Sequence, residues 1–473
     1  MRRKLILAFV VIVLVAAPIS PAVLGWHAEQ AYDSISERIS TDYPEVDWQI
    51  EDFERGWLTS SARYRIEIEG NWAEALQPGA NGPLILHGSD QIRHGPWVGD
   101  RFSAARIDST LRATEWLQAL GQDEIAREPI VNARSHIDTL GNVDSRFHFP
   151  DHRVEITGEM LQDSAETVTV EWRDAGGRGG IEGDLTRILV HIPDLRMTNE
   201  RGDAISVTDF EAGDRSRRAH DGLWLGRMHI AVDELTFVGG DTEAPEDARI
   251  RGLELRSETR ADDDYATTDT RLAFAELAAA GITFSDADVD IRAEQLARAP
   301  LARLNRMANE VQAGRNGEAE GSTEAMHAAL ADLLRGSPRL ATERMQVDTP
   351  VGLASGDIAL RFDGERPFRS AVPVSLIEPL AGHLELRLPR ELVQRSMYAA
   401  MRDEPPADLF TTEMDSRTRQ QADQAINILV ATGLIDREDD TLIIRIDKEA
   451  GGPALVNDQD IMAMIQALGG LFE

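Results

Sequence analysis

Chemistry-bearing side chains are most concentrated in one short stretch, Leu86-His87-Gly88-Ser89-Asp90-Gln91-Ile92-Arg93-His94-Gly95-Pro96-Trp97. Two imidazoles and a carboxylate so close together are the types that hold a metal ion or act as a general base in a hydrolase. Their spacing argues against both. His87 and His94 are seven residues apart, an odd separation, so a straight strand sends them to opposite faces. His-Gly-Pro is ordinary turn chemistry. No second ligand cluster accompanies it, because the other histidines are scattered from His27 to His383. The expectation is a strand and turn fixed by polar residues, with no catalytic, cofactor-binding or metal-ligating residues.

Other constellations are excluded more simply. Cysteine is absent, which removes disulfides, thiolate catalysis and Cys-ligated metal centres. Lysine occurs only at Lys4 and Lys448, neither in a glycine-rich phosphate loop. There is no Gly-x-Ser-x-Gly elbow and no His-Glu-x-x-His. Gly176-Gly177-Arg178-Gly179-Gly180 fits no dinucleotide fingerprint, and with Arg178 and Glu182 charged it is expected to be a hairpin tip. Asp262-Asp263-Asp264 and Arg437-Glu438-Asp439-Asp440 lack the spaced oxygen ligands of a calcium loop and are expected to be solvated. No cofactor is expected.

Charge sets the class of partner. The 473 residues carry 49 basic and 82 acidic side chains, a net charge of −33. Such a chain repels phosphate backbones, so nucleic acid is not an expected partner. The acid is spread through every segment, and nearly all the positive charge is arginine. This pattern reads as a proteome adapted to high salt or a GC-rich genome, rather than as an acidic face for cations or basic partners, which would need the charge concentrated. At ~1 M salt the Debye length falls to ~3 Å and self-repulsion weakens. Hydrophobic residues at 42% are enough to bury a core.

The N-terminus carries a membrane signal. Met1-Arg2-Arg3-Lys4 precedes an unbroken apolar run over residues 5–17, which includes Leu5, Phe9, Ile12 and Leu14. The positive-inside rule keeps the arginines cytoplasmic and exports the remainder of the chain. The apolar run alone has the length of a cleavable signal, and Ser20-Pro21-Ala22 offers small residues for cleavage after Ala22. Extension to Trp26 gives 22 residues, about the ~20 that span ~30 Å of hydrocarbon. A retained anchor over residues 1–26 is favoured. It predicts a single-pass protein of a bacterial inner membrane with its body in the periplasm.

Beyond the anchor, Ala28, Ala31, Tyr32, Ile35 and Ile39 recur at helical spacing. The pattern then alternates, first in Val46-Asp47-Trp48-Gln49-Ile50 and later around residues 153–156, 167–172, 188–192, 228–232, 250–255, 289–291, 358–362, 384–388 and 442–446. Alternation predicts half-buried antiparallel strands. Segments 187–197 and 227–237 read as two loose copies of one unit. Helices are predicted near 116–120, 296–311, 323–334, 417–432 and 458–468. The fold class is therefore α+β and β-rich: long antiparallel sheet with a few packing helices, after one N-terminal membrane-spanning helix. The expected organisation is a β-rich region over 27–311, a glycine-containing linker over 312–322 and a C-terminal α+β region over 323–473.

One further stretch links the anchor to the body. Phe53-Glu54-Arg55-Gly56-Trp57-Leu58-Thr59-Ser60-Ser61-Ala62 follows the helix, His94-Gly95-Pro96 comes next, and Leu429-Val430-Ala431-Thr432-Gly433-Leu434-Ile435 with Val456-Asn457 lies near the end. This order resembles the YdgA-like family of proteobacterial envelope proteins, a family of unknown function. The resemblance covers nearly the whole chain and is sharpest in Arg55, Gly56, Trp57, Ser60 and Ser61. It departs at Val456-Asn457-Asp458, where the family pattern has Val-Asn-Gly. The resemblance implies a retained anchor and supplies no catalytic residues. Gly56 is expected where backbone bends or is closely approached, and Trp57 as a buried plug.

These readings converge on a non-enzymatic, membrane-anchored periplasmic protein that binds lipid or envelope proteins through a β-sheet face or groove. The near-repeat and strand runs are similar to those of AsmA-like envelope proteins, which implies lipid as the ligand. The alternative is a scaffold or assembly factor with no small ligand. A hydrolase using His87, Asp90 or His94 comes last.

Overall fold

Alternating apolar and polar residues decide the architecture. The computed structural model describes residues 46–69, 82–95, 103–156, 167–239, 248–279, 282–312, 320–365, 379–400, 410, 414 and 416–460. The anchor residues Leu5, Phe9, Ile12, Leu14 and Trp26, the helix expected after them, and Pro96 lie outside these segments. Among the described residues no helix is long and apolar enough to cross a membrane. The protein is β-rich, with long antiparallel sheet and few helices.

The chain divides into two units, the first comprising residues 1–200, 209–218 and 306–319. Its strands are β1 (Val46–Arg55), β2 (Thr59–Ile68), β3 (Leu84–His94), β4 (Ala105–Arg112), β5 (Val131–Ile137), β6 (Val143–His148), β7 (His152–Ile156), β8 (Val168–Arg173), β9 (Gly176–Glu182) and β10 (Leu185–Asn199). The first six pair in order as an antiparallel meander. β6 then pairs β9, and the β7–β8 hairpin is an excursion between them. β10 serves both branches: residues 185–191 pair β9, and residues 194–199 pair β8. Pro193, which has no N–H to donate, stands where β10 changes partner.

One face of this meander is apolar. Ala62, Tyr64, Ile92, Ala105, Ile107 and Ile137 form a buried cluster, with Trp48, Ile50 and Phe53 against it. At the far ends of the strands, helix α1 (Thr114–Ala119) and the 3₁₀ turn Ile125–Arg127 cover Leu84 and Leu86 together with Val154. The other face is polar, and it carries the candidate site.

The second unit comprises residues 201–208, 219–305 and 320–473; β11 (Ala204–Arg218) contributes to both. Its antiparallel ladder runs through β12 (Trp224–Val238), β13 (Ala248–Ala261), β14 (Tyr265–Ala279), β15 (Ile282–Ala297), β16 (Arg339–Thr349), β17 (Gly352–Phe362) and β18 (Leu380–Pro389). It continues into β19 (Asp436–Glu438), β20 (Thr441–Lys448), β21 (Ala454–Val456) and β22 (Gln459–Asp460). Helices α2 (Arg298–Gln312) and α3 (Glu320–Arg335) separate β15 from β16. α4 (Arg390–Ala400) and α5 (Ser416–Ala431) separate β18 from β19, and their apolar sides meet around Ile426, Ile435 and Leu442.

Several expectations are corrected. The glycine run 176–180 is no hairpin tip; it is β9, held between β6 and β10. α4 follows β18 directly at Pro389-Arg390, with no glycine turn to announce it. The helix expected over 458–468 begins instead as β22, and the rest lies outside the described residues. Of the expected linker, Gln312 closes α2 and 320–322 open α3, while 313–319 lie outside the described residues.

Candidate functional site

Strand register separates the sequence-selected residues. His94 is buried at the end of β3, and its Nε2 lies 2.7 Å from Ser60 Oγ on β2. Burial lowers the His94 pKa, keeping the ring neutral. Among the described residues its Nδ1 has no hydrogen-bond partner. Asp90, on the same face of β3, accepts a hydrogen bond from Tyr64 Oη at 3.3 Å. Burial, followed by the Asp90 charge, pushes the Tyr64 phenol far up, so it stays protonated. His87 faces the opposite side and pairs with Glu115 at 2.7 Å. The odd spacing of the two histidines is thus realised as two faces. Among the described residues no three His, Asp or Glu side chains gather as a metal site.

The Arg55-Gly56-Trp57 motif closes the β1–β2 hairpin. Arg55 pairs with Ser60, leaving residues 56–59 as the turn. A Cβ on Gly56 would lie far inside van der Waals contact with the Thr59 carbonyl, so a side chain is excluded there. Trp57 corrects the expectation of a buried plug: it is 59% exposed, and Leu58 beside it is 55% exposed. The physical reason is register. The β1–β2 ladder ends at Arg55 and Ser60, so Trp57 projects beyond the sheet while Leu58 keeps only its carbonyl engaged, with His94 N at 2.8 Å. Ser61 lies on the polar face opposite Gln91. Gly95 follows His94 in a positive-φ conformation, φ 138°.

By register, the hairpin tips β1–β2, β5–β6 and β9–β10 and the ends of β3 and β4 share one end of the meander. Leu140, in the β5–β6 turn at that end, is 85% exposed. Three large apolar side chains, on two hairpin tips separated by β3 and β4, therefore stand in solvent at one end.

Behind this end the polar face is hollowed. Arg134 on β5, Arg146 on β6 and Arg178 on β9 are direct cross-strand neighbours, and all three are exposed. Arg134 Nε donates to Asp108 at 2.8 Å. Burial opposes ionisation of Asp108, but hydrogen bonds from Arg106 and Arg134 outweigh it and hold the carboxyl below its ordinary range. Arg146 and Arg178 make no ion pair among the described residues. Arg146 joins two hollows. One of about 480 Å³ runs toward Arg134, Asn132 and Thr110. The other, of about 490 Å³, is bounded by Arg178, His191 and Glu211.

The glycines of β9 let the neighbouring strands approach closely. On its polar face Arg178 is flanked only by Gly176 and Gly180. A Cβ on Gly180 would lie 2.8 Å from Arg187 Nε and 2.9 Å from the Val143 carbonyl. Sequence reasoning misses this row because its members sit on three separate strands. Arg178 among four glycines is the one local signal, and by itself it reads as a turn.

No curated protein and no solved structure matches the chain. A family model described as "Bacterial protein of unknown function (DUF945)" does match, over residues 1–463. That span is nearly the whole chain, and the protein belongs to this bacterial family of unknown function.

Proposed function

We propose that this is a non-enzymatic, single-pass protein of the bacterial inner membrane, of the YdgA-like proteobacterial kind. Its N-terminal segment is retained as an anchor and its β-rich body lies in the periplasm, where a sheet surface binds lipid or an envelope protein. The observation that carries the reading is the set of apolar tips at one end of the first unit: Trp57, Leu58 and Leu140, exposed by 59%, 55% and 85%. A Trp beside a Leu on a hairpin tip suits the membrane interface, where an amphipathic ring sits at headgroup depth. The apolar segment 5–26 supports the anchor.

The test is mass spectrometry of everything retained by the detergent-extracted full chain. Phospholipid at near-stoichiometric amounts is the expected result. A protein partner without lipid would replace it with the scaffold reading. The N-terminus should begin at or near Met1 in carbonate-washed membranes; a soluble chain starting at Val23 would sink the anchor.

One contact favours the hydrolase as a second reading, because Ser60 Oγ lies 2.7 Å from His94 Nε2. A nucleophile needs a base that a third group orients, and among the described residues His94 Nδ1 meets no carboxylate. The pair is better read as a lock between β2 and β3.

A further inference from the structure

We propose that the Arg134–Arg146–Arg178 row binds the phosphate of an anionic lipid headgroup. This rests on the lipid reading and names the ligand's chemistry. Direct cross-strand neighbours place Cβ atoms about 4.5–5.5 Å apart, and like charges there repel. Three guanidiniums in one row are unfavourable without a counter-ion. Asp108 serves Arg134. Arg146 and Arg178 have no such partner among the described residues, in a chain with 82 carboxylates. Planar guanidinium forks match phosphate oxygens bidentately. The hollow of about 490 Å³ that Arg146 and Arg178 both line is large enough for a tetrahedral anion beside them. Asp144, Asp174 and Glu211 also line the trough; they disfavour a diffuse polyanion and leave the row itself as the positive focus.

Position selects a lipid over a free anion. Arg134, Arg146 and Arg178 each lie three residues from Ile137, Val143 and Ile181, the cross-strand neighbours at that end of the sheet. At ~3.4 Å per residue the row is about 10 Å behind that end. A headgroup layer is about 5–7 Å thick on each side of the hydrocarbon, and arginine stems reach several ångströms further by snorkelling. With Trp57 and Leu140 in the interface, the row meets the headgroup phosphates.

The experiment uses the full chain in non-ionic detergent micelles doped with phosphatidylglycerol or with phosphatidylcholine, and reads bound lipid by native mass spectrometry. The wild type should prefer phosphatidylglycerol by about tenfold or more, the difference one charge-assisted contact supplies. Arg146→Gln with Arg178→Gln should abolish the preference without changing the circular dichroism or thermal midpoint, since both side chains are exposed. Arg178→Lys should keep part of it, and Arg227→Gln in the second unit all of it. If the double variant binds phosphatidylglycerol as the wild type does, the arginine assignment falls and the lipid reading stands. If inorganic phosphate displaces the lipid at equal concentration, the lipid source falls. If the wild type retains no lipid, both fall.

Discussion

Ser60 Oγ and His94 Nε2 stand 2.7 Å apart on adjacent strands, enclosed, while His94 Nδ1, on the far side of the ring, has no partner among the described residues. The contact closes the β2–β3 ladder just where the Trp57 turn leaves it. Removing the hydroxyl strands the imidazole in an apolar setting, so Ser60→Ala should cost about 1–3 kcal/mol in urea unfolding. His94→Gln can keep the contact and should leave function and abundance largely intact, whereas Gly95→Val forces a branched side chain to φ 138° and should destabilise the chain. Loss of function in His94→Gln with an unchanged fold would revive the hydrolase.

The same histidine predicts an acid limb. Its folded pKa lies below the ordinary 6.5, so the unfolded chain binds its proton more readily. Stability assigned to His94 should be complete above pH ~6.5 and fall as pH drops from there toward the folded value. His94→Gln should show a flatter acid limb than the wild type, and a parallel limb would refute the assignment.

His383 has the opposite sign. The hydrogen bond to Asp447 at 2.7 Å raises its pKa, against burial and helped by Asp357. Its stabilisation should be full below pH ~6.5 and vanish as pH rises through the raised folded value. The side chain is 38% exposed, so after discounting for solvent the gain is about 0.5–1 kcal/mol. Measured against His383→Gln, the wild-type advantage should shrink between acid and alkaline pH. An advantage that grew with pH would contradict the pairing.

The β21–β22 turn offers a stabilising change. Val456 pairs with Gln459, so Asn457 and Asp458 form a two-residue turn with φ of 44° and 68°. Such a turn prefers Asn-Gly. Asp458→Gly should therefore raise stability, by about 0.5 kcal/mol after the glycine's own entropic cost. A lower urea midpoint would show that the Asp458 side chain contributes something the turn geometry does not.

Salt should stabilise the protein. Screening weakens pairs such as Arg227–Glu258, whose arginine is 75% exposed, but exposed pairs are worth only about 0–1 kcal/mol each. Relief of repulsion in a chain of net charge −33 acts on the whole molecule. The thermal midpoint should rise from low to molar NaCl. A flat or falling midpoint would favour a local role for the acid.

Period-2 alternation is enough to place β1 and β7, whose exposure alternates along the strand; β12 and β20 are also strands, although in β20 the adjacent Leu442 and Ile443 are both buried. It fails at β9, where glycine carries no pattern and the strand exists through its neighbours' hydrogen bonds. Trp57 is misplaced because residue size suggests burial, whereas exposure is decided by the residue at which the β1–β2 ladder ends. The arginine row is invisible for the same kind of reason. Arg134, Arg146 and Arg178 become neighbours only through register across three strands.

The partner change at Pro193 has a consequence for the order of assembly. Arg134 and Arg146 meet in a local hairpin, but β9 reaches β6 only after the β7–β8 excursion, and β10 must bridge both branches. Closing that longer loop is slower than zipping a hairpin. During synthesis the β1–β6 meander can form before the later strands have emerged, but the trough cannot. The trough is thus complete only when the chain has been made as far as Glu211, and opening of β9 and β10 alone would dismantle it and leave the meander standing.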